Sequence, residues 1–158
     1  MTFRPGLYCM SGNLDITGGK AEGIGITFYM QSGSIRITGG AQAVLQAPNE
    51  YDRDQSLNGL LIYMPPENHS EIIIVGTSSS RFSGTILAAE STIEIGGTSD
   101  VGSATQCPLD PVTGQCQAVT FTVQAIGAFV KTHGNAPTDI LDDESALYSV
   151  AGKMSLLK

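Results

Sequence analysis

The tetrapeptide Ile16-Thr17-Gly18-Gly19 recurs as Ile37-Thr38-Gly39-Gly40, 21 residues later. Ile74-Val75-Gly76-Thr77 and Ile95-Gly96-Gly97-Thr98 form a second pair with the same spacing of 21. Fixed-interval repetition of short strand-forming segments closed by glycine marks a chain that stacks one supersecondary unit on the next. A short apolar segment precedes each tetrapeptide: Leu7 to Met10, Ile26 to Met30, Leu60 to Met64 and Thr85 to Ala89. Between Ile37 and Ile74 the interval is 37, or 21 plus 16, and most of the excess lies in the polar stretch from Ala47 to Asn58. A second long insertion, Thr98 to Gln117, precedes the last apolar segment, Val119 to Thr132.

The repeating unit is therefore strand, tight turn, strand, then a third short edge, for which Ala43-Val44-Leu45 and Arg81-Phe82 are candidates. Asn13-Leu14-Asp15-Ile16, Ser34-Ile35-Arg36-Ile37 and Thr92-Ile93-Glu94-Ile95 alternate aliphatic with polar residues, as a strand with one buried face does. The Gly-Gly that follows suits a corner where the backbone enters positive φ. These features predict an all-β chain, a parallel β-helix (β-solenoid) of about five coils. A right-handed winding follows from the chirality of parallel crossovers. Leu14, Ile35, Ile72 and Ile93 form one predicted internal stack, and Ile16, Ile37, Ile74 and Ile95 the next. Met10, Met30, Met64 and Ala89 are expected to stack on a neighbouring face, and Cys9 to be a small buried hydrophobe. An antiparallel sandwich also uses short strands, but it does not predict the same tetrapeptide after 21 residues.

The C-terminal segment differs in kind. Asp139-Ile140-Leu141-Asp142-Asp143-Glu144-Ser145 offers acidic capping residues, and Ala146, Leu147, Val150, Ala151, Met154 and Leu157 then recur at helical spacing. Acid first and lysine last suits the helix dipole. The expected organisation is a solenoid domain over 1–135 and a helical segment over 136–158. The face formed by Leu147, Val150, Met154 and Leu157 packs on the solenoid or on a partner.

Among 158 residues there are 8 Lys+Arg against 15 Asp+Glu, a formal net charge of −7. A chain this acidic lacks the basic stripe that neutralises phosphates, which argues against nucleic acid and against an anionic membrane surface. The longest apolar run, Gly59 to Met64, is too short to span a bilayer, so no direct membrane insertion is expected. Met1 to Gly6 reads as a loop entering a strand.

Cys107 and Cys116 close the turn-rich loop CPLDPVTGQC and are a candidate disulfide, which would imply an oxidising compartment; the alternative is two free thiols. His69 and His133 lie near no CxxC, so no zinc site is expected. Asp52, Arg53 and Asp54 crowd one loop and read as a solvated insertion, although acids of this kind could bind Ca²⁺ in a polysaccharide lyase. Asp15, Arg36 and Glu94 hold equivalent outward positions and read as a charged, solvated ladder. Ser78-Ser79-Ser80 has no nucleophile-elbow context, and no phosphate-binding glycine loop is present. Asn68-His69-Ser70 matches a glycosylation sequon, a match common by chance. Ice binding needs a regular threonine array, but Thr17 and Thr38 are followed in register by Val75 and Gly96. No catalytic residue, metal or cofactor is expected.

Several motifs resemble the C-terminal region of TadG-like pilus-assembly proteins. They are Arg4-Pro5-Gly6-Leu7-Tyr8-Cys9, Gly25-Ile26-Thr27-Phe28-Tyr29-Met30, Gly59-Leu60-Leu61-Ile62-Tyr63-Met64-Pro65-Pro66-Glu67-Asn68-His69-Ser70 and Phe82-Ser83-Gly84-Thr85-Ile86-Leu87-Ala88-Ala89. The resemblance covers roughly 3–97. It implies an extracytoplasmic β-rich region of a bacterial cell-envelope protein whose membrane anchor lies upstream. It supplies no catalytic residues, and the segment 98–158 departs from the pattern. The expectation is a non-enzymatic structural or binding module of the envelope, linked to Tad/Flp pilus assembly or surface attachment. Its partners would be envelope proteins or further copies of itself. The alternatives are a polysaccharide-active lyase or hydrolase, and an ice-binding or adhesin-like solenoid.

Overall fold

A computed structural model describes residues 1–49, 57–77, 79–97, 119–134 and 138–140. Over these residues the chain is all-β. Its strands are β1 (Thr2–Phe3), β2 (Gly6–Ser11), β3 (Leu14–Thr17), β4 (Lys20–Ile24), β5 (Ile26–Ser32) and β6 (Ile35–Thr38). They continue with β7 (Gln42–Gln46), β8 (Leu60–Tyr63), β9 (Ile72–Gly76), β10 (Arg81–Gly97), β11 (Val119–Gly134) and β12 (Thr138–Ile140). Every pairing among them is parallel, within one twelve-stranded sheet.

The pairings fall into three ladders. In the first, β1 pairs with β4, β4 with β7, and β7 with Arg81–Ser83 at the start of β10. In the second, β2 pairs with β5, β5 with β8, and β8 with Thr85–Leu87 in the middle of β10. In the third, β3 pairs with β6, β6 with β9, and β9 with Ile93–Gly97 at the end of β10. The long strand β10 thus crosses all three ladders, and β11 follows it from Arg81 to Gly97. The corners are hydrogen-bonded between layers too: Gly6 N–H donates to Gly25 O, Gly12 N–H to Ser32 O and Gly18 N–H to Thr38 O, at 2.9, 3.0 and 3.1 Å.

Local chemistry explains the ladders. Parallel strands need both faces covered or a shared core, because their ladder cannot be left half in water as easily as a hairpin. Alternation supplies that core. Leu14, Ile16, Ile35, Ile37, Ile72, Ile74, Ile93 and Ile95 from the third ladder are all buried. They join Ala21, Ala43, Leu45 and Phe82 from the first ladder and Ile26, Phe28, Met30, Ile62, Met64, Ile86 and Ala88 from the second in a single cluster. Leu14, Ile35, Ile72 and Ile93 are successive Cα partners, as are Ile16, Ile37, Ile74 and Ile95. Gly18 and Gly39 turn the corner at φ of +87° and +66°, where a side chain is strained. Gly96 has a different reason: a Cβ there would collide with the His133 carbonyl oxygen of the next strand.

Four sequence expectations are corrected. Cys9 is exposed, because Tyr8 points inward against Phe28 and the pleat sends its neighbours out. Ala88, not Ala89, joins the methionine column: Ile86 and Leu87 pair with Ile62 and Tyr63, so the following residue, Ala88, is buried and Ala89 is exposed. Thr2–Phe3, expected as loop, pair with Glu22–Gly23. Thr138–Ile140, assigned to the helical segment, form β12 and pair with Val119–Phe121. The rest of the proposed helix, 141–158, with Leu147, Val150, Met154 and Leu157, lies outside the described residues, as do Cys107 and Cys116.

Candidate functional surface

Because inward positions are filled by aliphatic, aromatic and methionine side chains, what the chain can offer lies on its outward rows. Along the third ladder one row runs Asp15, Arg36, Ile73, Glu94, Lys131. The charged ladder expected from Asp15, Arg36 and Glu94 is thus interrupted by Ile73. Arg36 turns instead to Glu71, donating from Nη2 to Oε1 at 2.5 Å, with both side chains nearly half exposed. That hydrogen bond, then the attraction of the two charges, raises the guanidinium pKa, while partial desolvation opposes and Asp15 adds a smaller push upward. A raised folded-state pKa contributes stability below the unfolded value and loses it only as pH climbs through the folded one. For an arginine that window lies in strong alkali, so the pair's arginine side stays constant across neutral pH.

The next row runs Thr17, Thr38 along β3 and β6, then Val75, Gly96 and His133. The two threonines are followed by an aliphatic residue, a glycine and a histidine, so a flat hydroxyl array ends after two steps. His133 Nε2 lies 2.6 Å from Glu94 Oε1. Lys20 and Glu22 form a further exposed pair at 2.6 Å.

On the second ladder the outward row is Cys9, Tyr29, Tyr63, Leu87, Ile126. Tyr29 and Tyr63 stack with ring centroids 5.6 Å apart and planes 19° from parallel. This row is uncharged from end to end, and Thr27 and Thr85, two positions before Tyr29 and Leu87, are buried. Thr27 Oγ1 donates to Leu60 O at 2.7 Å.

The buried polar side chains are spent on corners. Asn68 donates through Nδ2 to Met30 O and Gly33 O, at 2.9 and 3.1 Å, and accepts from Ser70 N–H. Its own carbonyl accepts from Ser91 Oγ. Asn68 is therefore a buried strut between layers and not an accessible sequon, a role that its place after Pro65-Pro66-Glu67 did not signal. Ser80 Oγ donates to Ala41 O and accepts from the N–H groups of Ala43 and Thr77. A hydroxyl so engaged is held in the scaffold and is no free nucleophile. Asp52, Arg53 and Asp54 lie outside the described residues. Among the described residues no group of three or more His, Cys, Asp or Glu side chains converges as metal ligands would. Among the same residues no helix is long and apolar enough to cross a membrane. Compared with protein-family models, curated proteins and solved structures, the chain matches none of them.

Proposed function

We propose that this chain is a right-handed parallel β-solenoid of about five coils with a C-terminal amphipathic helix. In this proposal it serves as a non-enzymatic structural or binding module of the bacterial cell envelope, tied to Tad/Flp pilus assembly or surface attachment. The observation that carries the proposal is the use of the polar groups. Asn68, Ser80 and Ser91 hold layers together, Arg36 and Glu94 pair with neighbours at the surface, and one outward row, through the stacked Tyr29 and Tyr63, carries no charge along its length. A scaffold that presents rows of side chains at strand spacing suits recognition by an extended partner surface more than turnover of a small substrate. The family resemblance over roughly 3–97 supplies the envelope and pilus context.

Two experiments test this. The purified chain is incubated with a panel of bacterial and plant polysaccharides, with and without Ca²⁺. No new reducing or unsaturated ends are expected. Cleavage abolished by Asp52→Asn and Asp54→Asn together would replace the proposal with a lyase or hydrolase. In the host, Tyr29→Ser with Tyr63→Ser is expected to reduce surface attachment or pilus display while the protein level holds. Unchanged attachment at unchanged level would remove that role.

A further inference from the structure

The two ends of the ladders are unlike, and they are unlike in a complementary way. At one end β2 and β3 each have a single neighbour among the described residues, β5 and β6. At the other end β11 has β10 on one side and, among the same residues, only β12 against Val119–Phe121 on the other. A strand edge of this kind templates a further strand.

The inward columns meet these edges with different side chains. Tyr8, Phe28, Ile62, Ile86 and Ala125 are successive partners, so a column that begins with a ring ends with a methyl group. The methionine column begins at Met10 and ends at Gly127, the partner of Ala88. The column of Leu14 ends at Val130, which is 48% exposed although its partner Ile93 is fully buried. Tyr8, Met10 and Ala125 touch the core and are only partly buried. Large side chains at the first layer thus face the direction in which the last layer leaves small ones uncovered.

The outward row of the third ladder adds charge. It begins at Asp15 and ends at Lys131, both exposed. Neither is within ion-pair distance of an opposite charge among the described residues, whereas Arg36 is held by Glu71, and Glu94 by His133. One layer further on, about 4.8 Å away, the repeat would set an acid beside Lys131 if the next layer were the first layer of another copy.

We propose that a second copy of this chain docks head to tail, its β2 and β3 pairing in parallel with the free edge of β11. Tyr8 of the second copy covers Ala125, its Leu14 covers Val130, and its Asp15 pairs with Lys131. β12 and an incoming β1 claim the same place on Val119–Phe121. With three and two residues they are the shortest strands of the ladders, so one gives way and the second and third ladders carry the joint. The contact joins different surfaces and does not close on itself, so it builds open filaments. This goes beyond the attachment role, because Tyr29 and Tyr63 lie in interior layers and their loss leaves the joint intact.

The test is sedimentation of the full chain over a wide concentration range. The wild type is expected to grow in mass with concentration, less so in high salt. Asp15→Lys alone and Lys131→Asp alone each place like charges at every joint, and each should raise the concentration for half-association about ten-fold. An equimolar mixture of the two variants restores opposite charges at alternate joints and native pairs at the others, so it should associate like the wild type, as should the double variant. Val130→Lys, at the uncovered end of its column, should leave a monomer. A wild type that stays monomeric throughout would overturn the proposal, as would association indifferent to both charge reversals, or single variants that the mixture does not rescue.

Discussion

Ile37 and Ile74 are direct partners in adjacent parallel strands although 37 positions separate them in the chain. Both are buried, and each continues a column that also holds Ile16 and Ile95. The intervening insertion lies between β7 and β8, in a different ladder, so the column passes it without a break. Ile37→Ala is expected to cost about 2–5 kcal/mol in urea denaturation, the range for a large aliphatic removed from a packed core. Ile37→Asp should abolish the folded state.

Asn68 joins three backbone groups from two layers. Asn68→Ala leaves the carbonyls of Met30 and Gly33 without this donor inside the structure, and a loss of about 1–3 kcal/mol is expected from thermal melts. Expressed in a host that glycosylates sequons, the folded wild-type chain should carry no glycan at Asn68. Efficient modification would mean that this corner is open.

The Tyr29–Tyr63 stack contributes beyond the area it covers. A double-mutant cycle with Tyr29→Leu and Tyr63→Leu should give a coupling of about 0.5–1.5 kcal/mol. Strict additivity would mean that the rings do not interact.

The three cysteines should separate by chemistry. Cys9 is exposed and free, so it is expected to alkylate promptly in the native chain. Cys107 and Cys116 are expected to alkylate only after reduction if the loop they flank closes by a disulfide. Peptide mapping of protein prepared under oxidising conditions checks both; two free loop thiols would remove the disulfide.

Much of the third ladder was legible because its strands are short and identical in pattern. Ile-Thr-Gly-Gly at 16–19 and 37–40 fixes both register and corner, and the structure pairs Ile16 with Ile37 directly. The second ladder was legible in position but not in detail. The extra residue between Met30 and Ile37 is absorbed as an irregularity, so that Met10 pairs with Met30 but Ser11 with Ser32. A bulge shifts parity without changing composition; a separate one, where Thr85 pairs with Leu60 but Ile86 with Ile62, puts Ala88 rather than Ala89 in the methionine column. Cys9 failed for a related reason: in Leu7-Tyr8-Cys9-Met10 every residue is apolar enough to be inside, and only the partner Phe28 decides that Tyr8 is. The first ladder was faintest. Lys20–Ile24 carries Lys, Glu and two glycines or alanines, and its one cue is Ala21 lying 22 positions before its partner Ala43. Of the candidate surface, the charged row was visible at Asp15, Arg36 and Glu94. The Arg36–Glu71 pair was not, because Glu71 precedes its strand and reaches Arg36 only through the fold.

The parallel, in-register isoleucine column is the centre of this account, and a methyl nuclear Overhauser experiment on the isoleucine δ1 groups tests it most directly. Ile37 is predicted to contact both Ile16 and Ile74, and Ile74 both Ile37 and Ile95, with no contact between Ile16 and Ile95. An Ile37 methyl that sees neither neighbour, or backbone contacts of antiparallel pattern between 35–38 and 72–76, would contradict it.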